Sequence, residues 1–330
     1  MSKKILLIAS GGGHTGFALA VGTRIRELNP EADITYIVPR GDTWSINRIL
    51  RVDPKANIRE ITKPLKPLEP YTRLFKRVLH AFIDSIREVE HAIVFCTGSN
   101  HNIFPVLISR YLRRSIVFCV EDTFRFKRRS RTLDLLYRVA NVNVFLQWPE
   151  QVELYRGRGI YAGLLYEKPI HSVRDEGYIL VTTGTMGNRS LFKLLAKTKL
   201  DNLVVQTGAI NPDLLKRRGW KVFRFDPDID KLIAGASLVI TSAPGVTAIN
   251  ATQAYRKPTI MVYNPDLVLT ADREETEKVA KYLGIPFVDP RVITPRDFEK
   301  IVYEAYNIKP KVVRDGGYFI AKYLLNYIKA

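Results

Sequence analysis

Lys4-Ile5-Leu6-Leu7-Ile8-Ala9-Ser10-Gly11-Gly12-Gly13-His14-Thr15-Gly16 is the stretch on which the reading of the fold turns. A short apolar run without polar alternation predicts a strand buried on both faces, as in parallel sheets covered by helices. The glycines that follow predict a loop over 10–16. The segment from Phe17 to Leu28 predicts a helix stopped by Asn29-Pro30. The same device recurs further on. A strand is predicted over 178–183, a turn at Gly184-Thr185-Met186-Gly187-Asn188 and a helix over 189–197.

Outward from these two openings, the first half alternates strands at 34–38, 91–96, 115–120 and 142–146 with helices at 71–89, 103–111 and 131–139. Residues 39–70 read as irregular or short elements. The pattern breaks over 155–178, which places a linker near 167–176. The second half predicts strands at 203–206, 221–225, 238–240 and 258–262, and helices at 229–236, 248–255, 273–282, 296–306 and 313–329. The expected class is α/β, with domains 1–168 and 176–312 and a last helix, 313–330, packed back on the first.

Of the 330 residues 46% are hydrophobic, enough for a sizeable core without disulfides. Cys96 and Cys119 sit in strand-like runs and read as small buried hydrophobes in a reducing interior. The apolar run at the N-terminus is too short for a signal segment or a membrane span. The formal charge of +18 calls for an anionic partner. Basic residues cluster at Arg113, Arg114, Arg125, Lys127, Arg128, Arg129 and Arg131, and at Arg73, Lys76 and Arg77. The latter interleave with apolar residues at helical spacing from Tyr71 to Ile86. Such a helix either packs on its own domain or lies in a membrane interface. No zinc-finger spacing or RNA-module signature supports nucleic acid.

Three loops can bring backbone N–H groups close to a phosphate: 10–16, 184–188 and 242–247. None is read as the dinucleotide fingerprint, and the phosphate-loop lysine motif is absent. Each loop is equally compatible with a plain turn. Together they favour a nucleotide-phosphate ligand. His14 stands between Gly13 and Thr15 and suits general base work near neutrality, the alternative being a residue that only shapes its loop. Glu121 and Asp122 follow a strand end and can reach the same crevice, or form a surface carboxylate pair. His80, His91, His101 and His171 share no metal spacing, and no set of ligands argues for a metal.

Two groups of segments carry a resemblance. The first is Gly12-Gly13-His14-Thr15 with Glu121-Asp122-Thr123-Phe124-Arg125, Ser130, Gln147-Trp148-Pro149-Glu150, Tyr155 and Gly163. It resembles the acceptor-side subunit of the eukaryotic two-subunit transferase that adds the second N-acetylglucosamine to dolichol-linked chitobiose. The second is Val181-Thr182-Thr183-Gly184-Thr185-Met186-Gly187 with Gln206-Thr207-Gly208 and Ser242-Ala243-Pro244-Gly245-Val246-Thr247. It resembles that enzyme's donor-binding subunit. Both lie here in one chain, an order shared with the MurG family and suggestive of an archaeal single-chain form.

The resemblance covers residues 3–165 and 178–290 and implies a GT-B glycosyltransferase, with two Rossmann-like domains facing across a cleft. It implies inverting, metal-independent transfer of N-acetylglucosamine from UDP-GlcNAc to a dolichyl- or polyprenyl-diphosphate sugar. No cofactor is implied. By position it makes His14 and Glu121 catalytic. Gly184, Thr185, Met186, Gly187, Gln206, Ser242, Gly245, Val246, Thr247 and Glu274 become donor-binding. Gly12, Gly13, Thr15, Ser99, Asn100 and Arg125 become acceptor-binding. It further implies a peripheral protein at an anionic membrane surface, on its cytoplasmic face. A homo-oligomer is left open. Relatives carry a ribose-gripping glutamate where this chain has Ala251. The competing readings are a UDP-GlcNAc 2-epimerase-like enzyme, which would need carboxylates converging on the sugar, and a non-catalytic anionic-lipid-binding protein.

Overall fold

The computed structural model describes residues 4–65, 74–215, 219–268 and 270–329. They form two compact units, one comprising 1–167 and 314–330, the other 168–313.

In the first unit the elements run β1 Ile5–Ile8, α1 Gly12–Leu28, β2 Ile34–Pro39, α2 Thr43–Val52, β3 Asn57–Ile61, α3 Leu74–Glu88, β4 Ile93–Cys96, α4 Ile103–Leu107, β5 Ile116–Val120, α5 Arg131–Ala140, β6 Asn143–Leu146 and β7 Ile160–Tyr161. The sheet order is β3-β2-β1-β4-β5-β6-β7, all parallel. Every residue of β1, β2 and β4 is buried, the mark of a sheet covered on both faces. Chain order reverses between β1 and β4. Ligands of open parallel sheets bind at such a switch point, outside the carboxyl ends of the strands.

The second unit repeats the plan with β8 Ile179–Thr182, α6 Arg189–Leu195, β9 Leu203–Gln206, β10 Lys221–Phe223, α7 Ile229–Gly235, β11 Leu238–Ala243, α8 Thr247–Ile249, β12 Thr259–Tyr263, α9 Arg273–Leu283, β13 Phe287–Val288 and α10 Pro295–Ala305. Its sheet order is β10-β9-β8-β11-β12-β13, again parallel, with the switch between β8 and β11. The last helix, α11 Gly316–Lys329, belongs to the first unit. It lies against α1, where a Cβ on Gly317 would stand 2.6 Å from the Ala20 carbonyl oxygen. Its Tyr323 and Tyr327 rings meet Phe118 edge-on at 5.6 and 5.3 Å. Buried Arg24 pins its start, pairing with Asp315 at 2.9 Å while donating to the Tyr166 carbonyl.

Several expectations are corrected. The stretch 10–16 is not wholly a loop, because α1 begins at Gly12. Gly11 takes φ 87° as the cap, and the Thr15 hydroxyl accepts the Gly11 N–H at 3.0 Å, closing the first turn. The irregular stretch 39–70 contains α2, capped by Asp42 accepting from Ser45 N, and the edge strand β3. α4 and α8 both continue into π turns, Ile108–Leu112 and Asn250–Ala254. Tyr71 and Arg73, at the start of the amphipathic segment, lie outside the described residues.

Candidate functional site

In the first unit the switch-point loops follow β1 and β4, and a chain of hydrogen bonds ties them together. The Asn102 amide donates to Ser10 Oγ (3.1 Å), which lies 3.1 Å from Thr97 Oγ1. Thr97 Oγ1 donates in turn to the Ile8 carbonyl (2.8 Å). Lys63 Nζ donates to the Ser10 carbonyl at 2.9 Å. On this frame His14 stands half-buried in the first turn of α1. Its Nδ1 lies 2.7 Å from the Thr97 carbonyl oxygen. A carbonyl only accepts, so Nδ1 carries the proton and Nε2 of the neutral ring keeps its lone pair. Burial holds the imidazole below its usual value of 6.5. The Asp122 carboxylate and the Thr97 bond oppose that shift in part, and Lys63 adds to it.

The loop after β5 is built by the segment from Gln147 to Gln151. Gln147 Nε2 donates to the Glu121 carbonyl (2.8 Å), Trp148 Nε1 to Thr123 (2.9 Å) and Gln151 Nε2 to Asp122 and Arg125 (2.8 and 2.9 Å). Gln151 Oε1 accepts the N–H groups of Gln147 and Trp148. The Gln-Trp-Pro motif is therefore a brace for residues 121–125. Arg125 stands half-buried at the end of the braced stretch.

Glu121 sits elsewhere than the sequence suggested. It is fully buried and accepts from Tyr155 Oη (2.5 Å), Asp122 N (2.8 Å) and Ser130 N (3.3 Å). Burial pushes its carboxyl up to about 7. It holds the loop from inside, and Asp122, its neighbour, is the carboxylate that acts on His14. The proton preference has a sign. A carboxyl raised from 4.5 to about 7 by folding stabilises the fold below pH 4.5 and loses that contribution as pH rises through 7, about 3 kcal/mol in all. Glu121→Gln should remove this slope, so wild-type stability relative to the variant falls between pH 4.5 and 7. Denaturant titrations across that range measure it.

Thr15 is a second correction. Its hydroxyl is fully buried between Gly11 N and Ser45 Oγ (2.9 Å), so it fastens α1 to α2. Gly12 is exposed, and Gly13, Ser99 and Asn100 are half-buried around the loops. Ser99 Oγ caps the turn at Asn100–Asn102. The spacing of Gly11, Gly13 and Gly16 does satisfy G-x-G-x-x-G, correcting the reading that set the fingerprint aside. Gly11 makes the turn, and a Cβ on Gly16 would stand 2.6 Å from the Glu167 carboxylate.

In the second unit the switch-point loops follow β8 and β11. Gly184 and Gly187 have φ 63° and 83°. Thr185 and Met186 are exposed between them. Gly208 lies directly beneath, and a Cβ there would strike the Gly184 carbonyl and stand 2.9 Å from Gly187 N. Asn188, unremarked in the sequence, joins the two loops. Its Oδ1 accepts Leu191 N (3.0 Å), while its Nδ2 donates to Ser242 Oγ (3.2 Å) and the Tyr263 carbonyl (3.1 Å). Asn264 Nδ2 donates to the Gly187 carbonyl at 2.8 Å. Gly245, Val246 and Thr247 are half-buried beyond a cis Ala243-Pro244 bond. First-turn N–H groups lack intrahelical acceptors, so Val246 and Thr247 can offer theirs to an anion.

Three donor assignments are placed differently. Ser242 is buried and accepts from Asn188. Gln206 is buried, with Oε1 accepting Asp226 N at 3.2 Å, and so supports the sheet end. Glu274 is exposed in the first turn of α9, between the mutually capping Asp272 and Glu275. Ala251 is fully buried in the hydrophobic cluster that also holds Tyr178 and Leu180, so its position faces the core and offers no grip on a ribose.

The basic and apolar surface of the first unit divides. Arg113 donates to the Val89 and Ile86 carbonyls, and Arg129 to the Leu154 carbonyl while stacking on Tyr137 and Tyr155. Both serve the fold. On α3 the packed face is Ala81, Asp84 and Ser85, whereas Phe75 (79%), Leu79 (47%) and Phe82 (40%) are exposed. No helix among the described residues is long and apolar enough to cross a membrane, and no metal-binding group of side chains occurs among them.

No protein-family model matches the chain, and no curated protein matches its sequence. Solved structures match along its whole length. MurG of Acinetobacter baumannii is 16% identical, over 99% of this chain and 98% of its own, with a TM-score of 0.60. A putative UDP-N-acetylglucosamine 2-epimerase of Listeria monocytogenes is 14% identical, over 100% and 96%, at 0.65. The Methanocaldococcus jannaschii UDP-GlcNAc 2-epimerase, solved with UDP-GlcNAc and UDP, is 14% identical, over 98% and 99%, at 0.61. With the two parallel, doubly covered sheets, these likenesses establish that the chain has the GT-B fold.

Proposed function

We propose that the protein is a UDP-GlcNAc-dependent, inverting, metal-independent glycosyltransferase whose acceptor is a polyprenyl- or dolichyl-diphosphate sugar. The observation that carries this reading is His14, its Nδ1–H fixed on Thr97 and its Nε2 left to take the acceptor hydroxyl proton. Asp122 steadies the imidazolium that forms. In the second unit, the glycine backbone at 184–187 and the amides at 245–247 hold the diphosphate and take up the charge of the leaving UDP. Arg125 receives the acceptor's diphosphate.

A 2-epimerase is the second reading, supported by the folds of the solved epimerases. It would need acids at the sugar, and the donor loops Gly184–Gly187 and Ser242–Thr247 contain no carboxylate. Purified protein given UDP-GlcNAc alone, then with polyprenyl-diphosphate-GlcNAc, separates the two. Release of UDP only with acceptor supports transfer. Consumption of UDP-GlcNAc without acceptor, yielding the 2-epimer, supports the epimerase.

The exposed stripe Phe75–Leu79–Phe82, flanked by Lys76 and Arg77, is proposed to rest on an anionic membrane surface, where the lipid-linked acceptor resides. Phe75→Asp with Leu79→Asp should abolish flotation with vesicles containing anionic lipid. The melting temperature should stay unchanged, since both side chains face outward. Undiminished flotation would remove the stripe from the account.

A further inference from the structure

A cavity of about 600 Å³ opens beside the donor loops of the second unit, between α6, the segment after β9 and the turn Pro265–Leu267. Its floor is Phe192, Ile210 and Leu215. Met186 and Leu214 stand at the mouth, 59% and 69% exposed. Two cations also line it. Arg189 and Lys193 are four residues apart on α6 and so share a face. Neither pairs with a carboxylate among the described residues, although Asp266 lines the same cavity.

Nothing in the transfer reaction uses this space. Of the cavity's side chains only Met186 belongs to the glycine loops proposed to hold the diphosphate. Its volume falls in the range of small-molecule pockets rather than that of a helix-binding groove. An apolar ligand alone would leave two side-chain charges unused at the mouth. A simple anion would leave the apolar floor facing water. The chemistry that satisfies both is an apolar chain ending in a doubly charged group.

We propose that this cavity binds a single-chain amphiphilic phosphate, the chain on Phe192, Ile210 and Leu215 and the phosphate between Arg189 and Lys193. The source of the phosphate is either an alkyl or an isoprenyl lipid, and both present the same head and an apolar tail. The proposal goes beyond the transferase reading and does not rest on it.

The test is calorimetric titration of the full chain with dodecyl phosphate, farnesyl phosphate and dodecanol below their aggregation limits. The phosphates should bind, and dodecanol should bind about tenfold or more weakly, the loss expected when charge-assisted hydrogen bonds are absent. The double variant Arg189→Ala, Lys193→Ala should bring dodecyl phosphate down to the affinity of dodecanol. Leu214→Asp, at an exposed position, should weaken every probe. A preference between dodecyl and farnesyl phosphate supports the site and names its source. UDP titrated into the same variants should bind as in the wild type, so a failure of the donor reading shows separately. Failure of both phosphates to bind the wild type would overturn the proposal. So would equal phosphate affinity in the double variant.

Discussion

His14→Ala is expected to lower sugar transfer by about 10²–10⁴-fold near pH 7.5, the usual contribution of a positioned general base. The loss should fall on kcat. UDP affinity should stay within about twofold, because the donor loops belong to the other unit. Among the described residues the ring makes one hydrogen bond, to the Thr97 carbonyl, and one edge contact with Phe17 at 6.0 Å, so its removal leaves the fold standing. The pH profile carries an independent sign. Burial favours the neutral imidazole, so the acidic limb of kcat/KM in the wild type should fall below the ordinary imidazole value of 6.5. Asp122→Asn removes the carboxylate that opposes this shift and should move the limb further down. Near-normal turnover in His14→Ala, measured by UDP release with acceptor present, would remove His14 as the base.

Gly208→Ala should weaken UDP binding by at least about tenfold and lower stability by about 1–3 kcal/mol. Gly208 has φ 65°, and the added Cβ would meet the Gly184 carbonyl, Gly187 N and the Thr185 carbonyl carbon, all backbone atoms of the donor loop. That loop must shift, and the amides proposed to hold the diphosphate shift with it. Gly219→Ala separates the causes. Its φ is 69°, but no atom of the described residues lies within 4 Å of the added Cβ, so it bears the backbone penalty alone and should leave UDP affinity intact. Isothermal titration with UDP and thermal melts of the two variants make the comparison. Equal affinities would show that the 184–187 loop does not hold the nucleotide.

Much of this fold could be read from periodicity. Strands such as Ile93–Cys96 and the Leu203–Val205 part of β9 are unbroken apolar runs because both faces are covered. The elements that escaped lack that signature. Asn57–Ile61 is an edge strand with only Ile61 fully buried, so Arg59 and Glu60 mask it. Phe287–Val288 is too short for any period, and α2 buries only Ser45 and Ile49. The first turn of α1 was hidden because Gly12 and Gly13 are poor helix formers. The Gly11–Thr15 hydrogen bond that closes it leaves no local pattern.

The site was legible in location more than in role. Glycines after strand ends pointed to both switch points, although α1 starts inside the first of these stretches at Gly12, and residue type alone could not say which polar groups face outward. Glu121 and Asp122 are adjacent in the loop just after β5, where one is buried and its neighbour is half-exposed. Only the structure shows which one Tyr155 and Ser130 claim. Asn188 reads as an ordinary turn residue, and Gln151 carries no signal of its own in the sequence. Their importance lies in partners far along the chain, Ser242 and Tyr263 for one, Asp122 and Arg125 for the other.

The central claim is a single displacement of UDP by the hydroxyl of a lipid-linked sugar. Transfer of radiolabelled N-acetylglucosamine from UDP-GlcNAc to a short polyprenyl-diphosphate-GlcNAc, in excess chelator, tests it most directly. The account predicts a labelled lipid-linked disaccharide of β configuration from the α-linked donor. A product that retains the α configuration, or no labelled lipid despite donor turnover, would contradict it.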